Sequence, residues 1–182
     1  MSRLFLLAAA TAVVVACSDS SQPPVANGLT LADTAEQVMF DVRTHLTNTG
    51  VKRGEMFADT VFVFDDQTLF ALRRVRANFN TETGAPNGTL RGDRGTYNLR
   101  SKILEGFGNV VVTSTDGKRL TSNHLKYSEN SNQISSDSAF VYREGTDVQR
   151  GVGFVTDPNL TVFRCLSSCR TEGDVQIGNI QP

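Results

Sequence analysis

The sequence predicts an all-β protein in which antiparallel strands stack into an elongated roll or an open barrel. Three observations lead to this prediction. One segment occurs twice, β-rich runs alternate with turn residues from Gly54 onward, and no long helical pattern interrupts that region. About eight to ten short strands at this spacing are typical of rolls and barrels.

The repeat has an offset of 30 residues, and its matching positions keep their size and polarity class. The first copy contains Leu90, Gly92, Asp93, Tyr97, Leu104, Gly106 and Val111, which correspond to Leu120, Ser122, Asn123, Tyr127, Ile134, Ser136 and Val141 in the second. Each copy reads as two strands separated by a polar turn, so one structural unit is used twice. Because a lone hairpin is marginally stable in water, we expect the units to stack.

Strands are also predicted before the repeat. Four apolar residues of the segment 54–64 share one parity: Met56, Ala58, Phe62 and Phe64. This alternation predicts one dry face and one wet face. A turn then leads into a returning strand over Leu69 to Phe79.

The two ends of the predicted domain are less regular. Residues 31–46 fit both a helical stripe and an alternating strand, so both alternatives stay open. Residues 148–165 look like a third, degenerate copy of the repeat, with a turn at residues 157–159 and a strand from Leu160 to Cys165.

A chain of 182 residues has room for one domain and a leader. We expect the domain over residues 31–175, followed by a tail over residues 176–182. The formal net charge is -1. Because this leaves no basic surplus to neutralise phosphates, nucleic acid is not an expected partner.

The chain begins like an exported lipoprotein. Arg3 precedes the apolar run Leu4 to Ala16, which is shorter than the ~20 residues of a membrane span but matches a secretory signal core. The ending Val-Val-Ala-Cys resembles a lipobox, which implies a signal peptide over residues 1–16 and lipid attachment at Cys17. The alternative is an ordinary signal peptide with an incidental cysteine. Residues 17–30 then form a flexible tether to the membrane.

Cys165 and Cys169 are a candidate disulfide in an oxidising compartment. On one extended strand they would lie about 13 Å apart, whereas a disulfide requires Cα atoms within ~7 Å. A bridge therefore requires a turn over residues 166–168. Intermolecular pairing and free thiols are the alternatives. No nearby histidine completes a metal site.

No constellation points to catalysis, a metal or another cofactor. His45 and His124 lack metal-ligand spacing. Asp93, Asp137 and Asp157 could form an acid/base set in a glycan hydrolase, but roles in turns and at strand edges explain them more simply. We therefore expect that the protein is not an enzyme.

Large apolar residues on the predicted strands are abundant instead. They form a candidate lipid-binding groove: Phe62, Phe64, Phe70, Tyr97, Leu104, Val110, Val112, Leu125, Tyr127, Ile134, Phe140, Tyr142 and Phe154. Residue pattern alone permits two interpretations, an ordinary closed core or a trough for acyl chains in a roll left partly open.

The chain resembles the LptC family, part of the LptA/OstA superfamily of periplasmic lipopolysaccharide transport proteins. The resemblance covers roughly residues 51–160. It rests on the repeat and on four phrases: Gly108–Val112, Asp116–Ser122, Ile134–Asp137 and Gly151–Pro158.

The resemblance implies a twisted antiparallel β-jelly-roll whose inner face holds the acyl chains of lipid A. Such a protein accepts lipopolysaccharide from the inner-membrane ABC exporter and passes it to an LptA-like jelly-roll by strand-edge pairing. Residues 54–64 would lie near the exporter-facing edge and residues 151–169 near the other edge. The alternative is a non-transporting envelope scaffold lipoprotein with a closed β core.

The expected location is the periplasm, with a membrane anchor. Familiar LptC proteins have an N-terminal transmembrane helix, whereas this chain has the lipobox at Cys17. An LptC-like role implies the inner membrane, but Ser18 directly after the cysteine favours the outer membrane. The sequence leaves the choice of membrane open.

Overall fold

A computed structural model describes residues 31–173 as one short helix and nine strands. The predictions for the signal peptide, the tether, Cys17 and the tail lie outside the described residues. The elements are α1 (Leu31–Thr34), β1 (Gln37–Asn48), β2 (Val51–Phe64), β3 (Leu69–Asn80), β4 (Pro86–Asn98), β5 (Ile103–Thr113), β6 (Arg119–Ser128), β7 (Gln133–Glu144), β8 (Asp147–Thr156) and β9 (Arg164–Glu172).

The nine strands form a single antiparallel sheet in chain order, so β1 and β9 are its edges. The prediction of an all-β, antiparallel β-jelly-roll is confirmed. The strands contain between 9 and 14 residues and are therefore longer than the short strands that we expected. Each copy of the repeat forms one hairpin, β4 with β5 and β6 with β7.

The two irregular ends are resolved differently. The ambiguous segment is helical only over α1 and continues as β1. The predicted strand from Leu160 is wrong in its start, because the last strand begins at Arg164. The Asp157 carboxylate accepts the backbone N–H groups of Thr161 and Val162, and Leu160 has a φ of 55°. Because of this turn, β9 begins four residues later than predicted.

A row of bulges crosses the sheet. Single-residue register shifts lie within every pairing from β4 to β9, for example between Arg91 and Arg94 on β4. On β3, Arg74 has a φ of 49° at the same level. An extra residue bends a strand and increases its twist. The row therefore bends the sheet along a line across its strands, so that its two halves face one another.

Contacts between distant parts of the chain close the bent sheet into a roll. The Asn48 side chain donates to the Glu129 carbonyl oxygen at 3.0 Å. The Lys102 ammonium donates to the Thr47 carbonyl oxygen at 3.1 Å. Further along, the Thr115 backbone N–H donates to the Asn159 side chain at 3.0 Å. These pairs join residues 44 to 81 positions apart.

The inward side chains of β1 to β8 form one hydrophobic core, together with Leu160. Within the described residues, the nine strands and the members of this core lie between residues 37 and 172. Within residues 31–173, none of the helical structure has the length and apolar character needed to cross a bilayer.

Candidate lipid-binding interior

Most of the predicted groove residues meet in the core. Ten of them belong to the buried cluster: Tyr97, Leu104, Val110, Val112, Leu125, Tyr127, Ile134, Phe140, Tyr142 and Phe154. Phe70 is partly buried and packs against this cluster. The bending of the sheet gathers residues from five strands, β4 to β8, into one apolar interior.

Phe62 and Phe64 lie outside the core cluster, although Phe62 is buried. On β2 the core residues are Ala58 and then Val61 and Val63, so the inward parity changes at the bend. Since successive side chains alternate between faces, Phe62 lies on the outer side, where the Arg73 guanidinium is 5.5 Å from its ring centroid. A strand of constant parity would have turned both phenylalanines inward.

The interior is packed over most of its length. Leu104, Tyr127 and Phe154 are fully buried, and the rings of Phe79 and Tyr127 are 4.5 Å apart although they belong to non-neighbouring strands. At the β8 end, Phe163 stacks on Tyr142 at 4.3 Å and covers the core. This part corresponds to the closed-core interpretation rather than to an open trough.

An apolar cavity of about 160 Å³ lies at the other end, inside the first four strands. Its lining is Met39, Val42, Thr44, Met56, Val61, Phe70, Leu72, Tyr97 and Leu99. Met39, Val42 and Phe70 are only partly buried, and Leu99 is 51% exposed. The interior is therefore accessible beside the edge strand β1.

Glu129 is a buried acid that the sequence analysis missed. It is fully inaccessible to solvent, and its Oε1 accepts a hydrogen bond from the Tyr97 hydroxyl at 2.7 Å. Its Oε2 has no hydrogen-bond partner among the described residues. Burial raises the pKa of Glu129, and this effect exceeds the opposing effects of the Tyr97 hydroxyl, the Lys102 charge and the Thr47 backbone.

Glu129→Gln replaces the buried carboxyl group by an amide that never ionises, so the variant avoids the cost of burying a charge that wild type meets as pH rises. Because the folded-state pKa is raised, the stability gained from the protonated acid is present below the unfolded pKa and lost as pH rises through the folded pKa. The difference in the free energy of unfolding between variant and wild type should therefore grow with pH. Urea unfolding at several pH values measures it, and a difference independent of pH would contradict this account.

The two cysteines form a disulfide on the edge strand β9, with Cα atoms 6.1 Å apart. They lie on one strand, but the bulge opposite Gly151 shortens the path between them, and Ser168 has a φ of 52°. The disulfide requires the chain between the two cysteines to depart from an extended strand, and this bulge provides that departure.

The candidate acid/base residues have structural contacts. Asp93 accepts a hydrogen bond from Asn109 at 2.7 Å, and Asp157 holds the turn before β9. His124 stacks on Phe107 and lies 3.1 Å from a Glu105 oxygen. No group of three or more potential metal ligands occurs within residues 31–173.

These features define a class of protein, an antiparallel β-jelly-roll with an apolar interior. The LptC family, described as "Lipopolysaccharide-assembly, LptC-related", matches residues 4–174. The chain belongs to this family. It is therefore a non-enzymatic component of the periplasmic bridge that transports lipopolysaccharide, and the predictions of the family and of no enzymatic activity are confirmed.

Among solved structures, the chain is similar to LptH from Pseudomonas aeruginosa, the LptA-homologous periplasmic component of the lipopolysaccharide transport device. The similarity has a TM-score of 0.48 and 12% sequence identity, and it covers 65% of this chain and 93% of that chain. No curated protein matches the sequence.

Proposed function

We propose that the apolar interior holds the acyl chains of lipopolysaccharide and that they enter beside β1. The observation that carries this proposal is the cavity inside β1 to β4, which continues into the buried core through Tyr97, Met56 and Leu72. Acyl chains are favourable occupants of such a space because burial removes their apolar surface from water.

Loading must widen the roll. The cavity of about 160 Å³ is smaller than the roughly 300–1,000 Å³ of pockets that enclose drug-sized ligands. Widening costs least at the β1 end, where Met39, Val42 and Phe70 are partly buried, and most between β5 and β8, where the side chains are tightly packed. The proposed path therefore begins at β1 and continues toward β9.

The two free edges support a handover between neighbouring rolls. Within residues 31–173, β1 and β9 each pair with one strand only, so both offer backbone groups for strand addition. In this proposal β1 faces the inner-membrane ABC exporter and β9 faces an LptA-like protein. The segment 54–64, expected near the first edge, is the second strand from it. Lipid anchoring through Cys17 remains part of the proposal.

Thr44→Trp is expected to abolish the thermal stabilisation that lipopolysaccharide gives to the wild-type chain. Thr44 lines the cavity, so an indole there occupies the space that the acyl chains need. The matched control is His45→Trp on the same strand, because the His45 side chain is exposed and does not line the cavity. A ligand that binds only the folded state raises the melting temperature.

The control variant should keep the shift in melting temperature that Thr44→Trp loses. Equal shifts for both variants would contradict entry at the β1 cavity. If the wild-type chain shows no shift with lipopolysaccharide or with a simple acyl ligand, the alternative of a scaffold with a closed core is favoured.

A further inference from the structure

Exposed arginines face each other directly across neighbouring strands of the outer surface. Arg73 pairs with Arg94, and Arg76 pairs with Arg91, between β3 and β4. Arg119 pairs with Arg143 between β6 and β7 in the same way. All six residues are exposed. Like charges directly opposite each other destabilise a sheet, so this arrangement has a cost in an isolated chain.

Most of these arginines lack an acidic partner. Other exposed arginines are paired, for example Arg43 with Glu55 at 2.7 Å and Arg150 with Glu172 at 2.7 Å. Arg76, Arg91, Arg94, Arg119 and Arg143 form no ion pair within residues 31–173. The repulsion within these pairs is therefore not offset by carboxylates of the described fold.

A shallow groove connects two of the three pairs. Arg91 from the β3–β4 group and Arg119 from the β6–β7 group both line it, together with the amides of Asn109 and Asn123. Asp93 also lines the groove, but its carboxylate already accepts a hydrogen bond from Asn109. Arg73 and Arg94 lie across the bend from Arg76 and Arg91. We therefore call Arg76, Arg91, Arg119, Arg143 and this groove the arginine face. It is a concentrated positive surface on a chain whose net charge is -1.

We propose that the arginine face binds the anionic headgroups of a phospholipid bilayer. Guanidinium groups form strong, bidentate hydrogen bonds with phosphate, and a phosphate between two opposed arginines would remove their repulsion. An extended array of such pairs complements a surface that presents many phosphates side by side. The occupant is thus an anionic membrane rather than a single small anion.

The length of chain before the fold places a bilayer within reach. Only residues 17–30 separate the apolar run Leu4 to Ala16 from α1. For flexible linkers of that length in general, the average span is roughly 20 Å. With an anchor at or before Cys17, the roll would remain beside the lipid surface, where the arginine face could fix its orientation.

The test measures co-sedimentation of a chain beginning at Ser18, which keeps all the described strands, with vesicles of phosphatidylcholine alone or mixed with phosphatidylglycerol. The wild-type chain should bind only the mixed vesicles. Arg76→Gln/Arg91→Gln should weaken that binding roughly 30-fold, since each arginine near an anionic surface contributes about a fivefold change in affinity. Arg76→Lys/Arg91→Lys keeps the charge and should keep most of the binding.

The matched control is Arg100→Gln/Arg164→Gln, which removes two exposed charges outside the arginine face. It should weaken binding much less than the paired variant does. Melting temperatures establish that each variant is folded. Because Arg76→Gln/Arg91→Gln removes a repulsion between like charges, its melting temperature should equal or exceed that of the wild-type chain.

Equal loss in the control, or no binding of the wild-type chain to mixed vesicles, would overturn the proposal. It would also be overturned if the paired glutamine variant kept vesicle binding but lost lipopolysaccharide binding. The phosphates of the transported lipid would then be the ligand. The proposed entry of acyl chains at β1 is tested separately by Thr44→Trp, so either proposal can fail alone.

Discussion

Phe154→Ala is expected to lower the free energy of unfolding by about 3–5 kcal/mol. Phe154 is fully buried on β8, and its ring lies 5.4 Å from that of Phe140 and 5.8 Å from that of Phe163. Removal of the ring leaves a cavity and breaks both aromatic contacts, each of which contributes about 0.5–1.5 kcal/mol beyond its buried area. Urea unfolding followed by circular dichroism measures the loss.

Phe40→Ala is the matched control for this prediction. Phe40 belongs to the edge strand β1 and is 72% exposed, so its truncation should change stability by no more than about 0.5 kcal/mol. Similar losses in the two variants would mean that the aromatic cluster at the β8 end is not part of the stable core.

Gly88→Ala is expected to cost about 2–5 kcal/mol, since it combines backbone strain with overpacking. Gly88 has a φ of 139°, which side chains rarely tolerate, and an added Cβ would overlap the carbonyl oxygen of Pro158. Pro158 lies in the loop between β8 and β9, whereas Gly88 lies on β4. The substitution should therefore separate two distant parts of the chain that the closed roll brings together.

Gly84→Ala separates the two contributions to this effect. Gly84 also has a positive φ, of 87°, but an added Cβ would meet no atom within 4 Å. The free energy of unfolding of Gly84→Ala should therefore fall only by the cost of backbone strain, about 1–3 kcal/mol. The further loss in Gly88→Ala measures the clash with Pro158. Melting temperatures and urea midpoints of both variants provide the measurement. Equal destabilisation would contradict a close contact between β4 and the β8–β9 loop.

The strands were predictable because their signals are local. Leu90, Leu120 and their neighbours alternate with polar residues between turn signals, and the repeat predicted the two hairpins β4–β5 and β6–β7. It did not predict that β4 begins as early as Pro86. The bend was not predictable from parity alone. On β2 the inward set changes from Ala58 to Val61 although the pairing with β3 keeps its register, and a pattern of constant alternation then assigns Phe62 to the same face as Ala58.

Glu129 was not predictable for a different reason. The phrase Glu-Asn-Ser-Asn after β6 is typical of a solvated turn. Its burial depends on Asn48 and Tyr97, which come from distant strands and meet the turn only after the sheet has rolled up. The size of the interior was not predictable for the same reason. It depends on contacts between distant strands, such as that of Phe79 with Tyr127, which determine how much space remains for a ligand.

The most direct test of acyl-chain binding is photo-crosslinking in cells with a photoreactive phenylalanine at position 97 or position 96. Tyr97 lines the cavity inside the roll, whereas Thr96 is adjacent in sequence and does not line it. Our account predicts capture of lipopolysaccharide from position 97 and not from position 96. Capture of neighbouring protein alone from position 97, or equal capture of lipopolysaccharide from both positions, would contradict it.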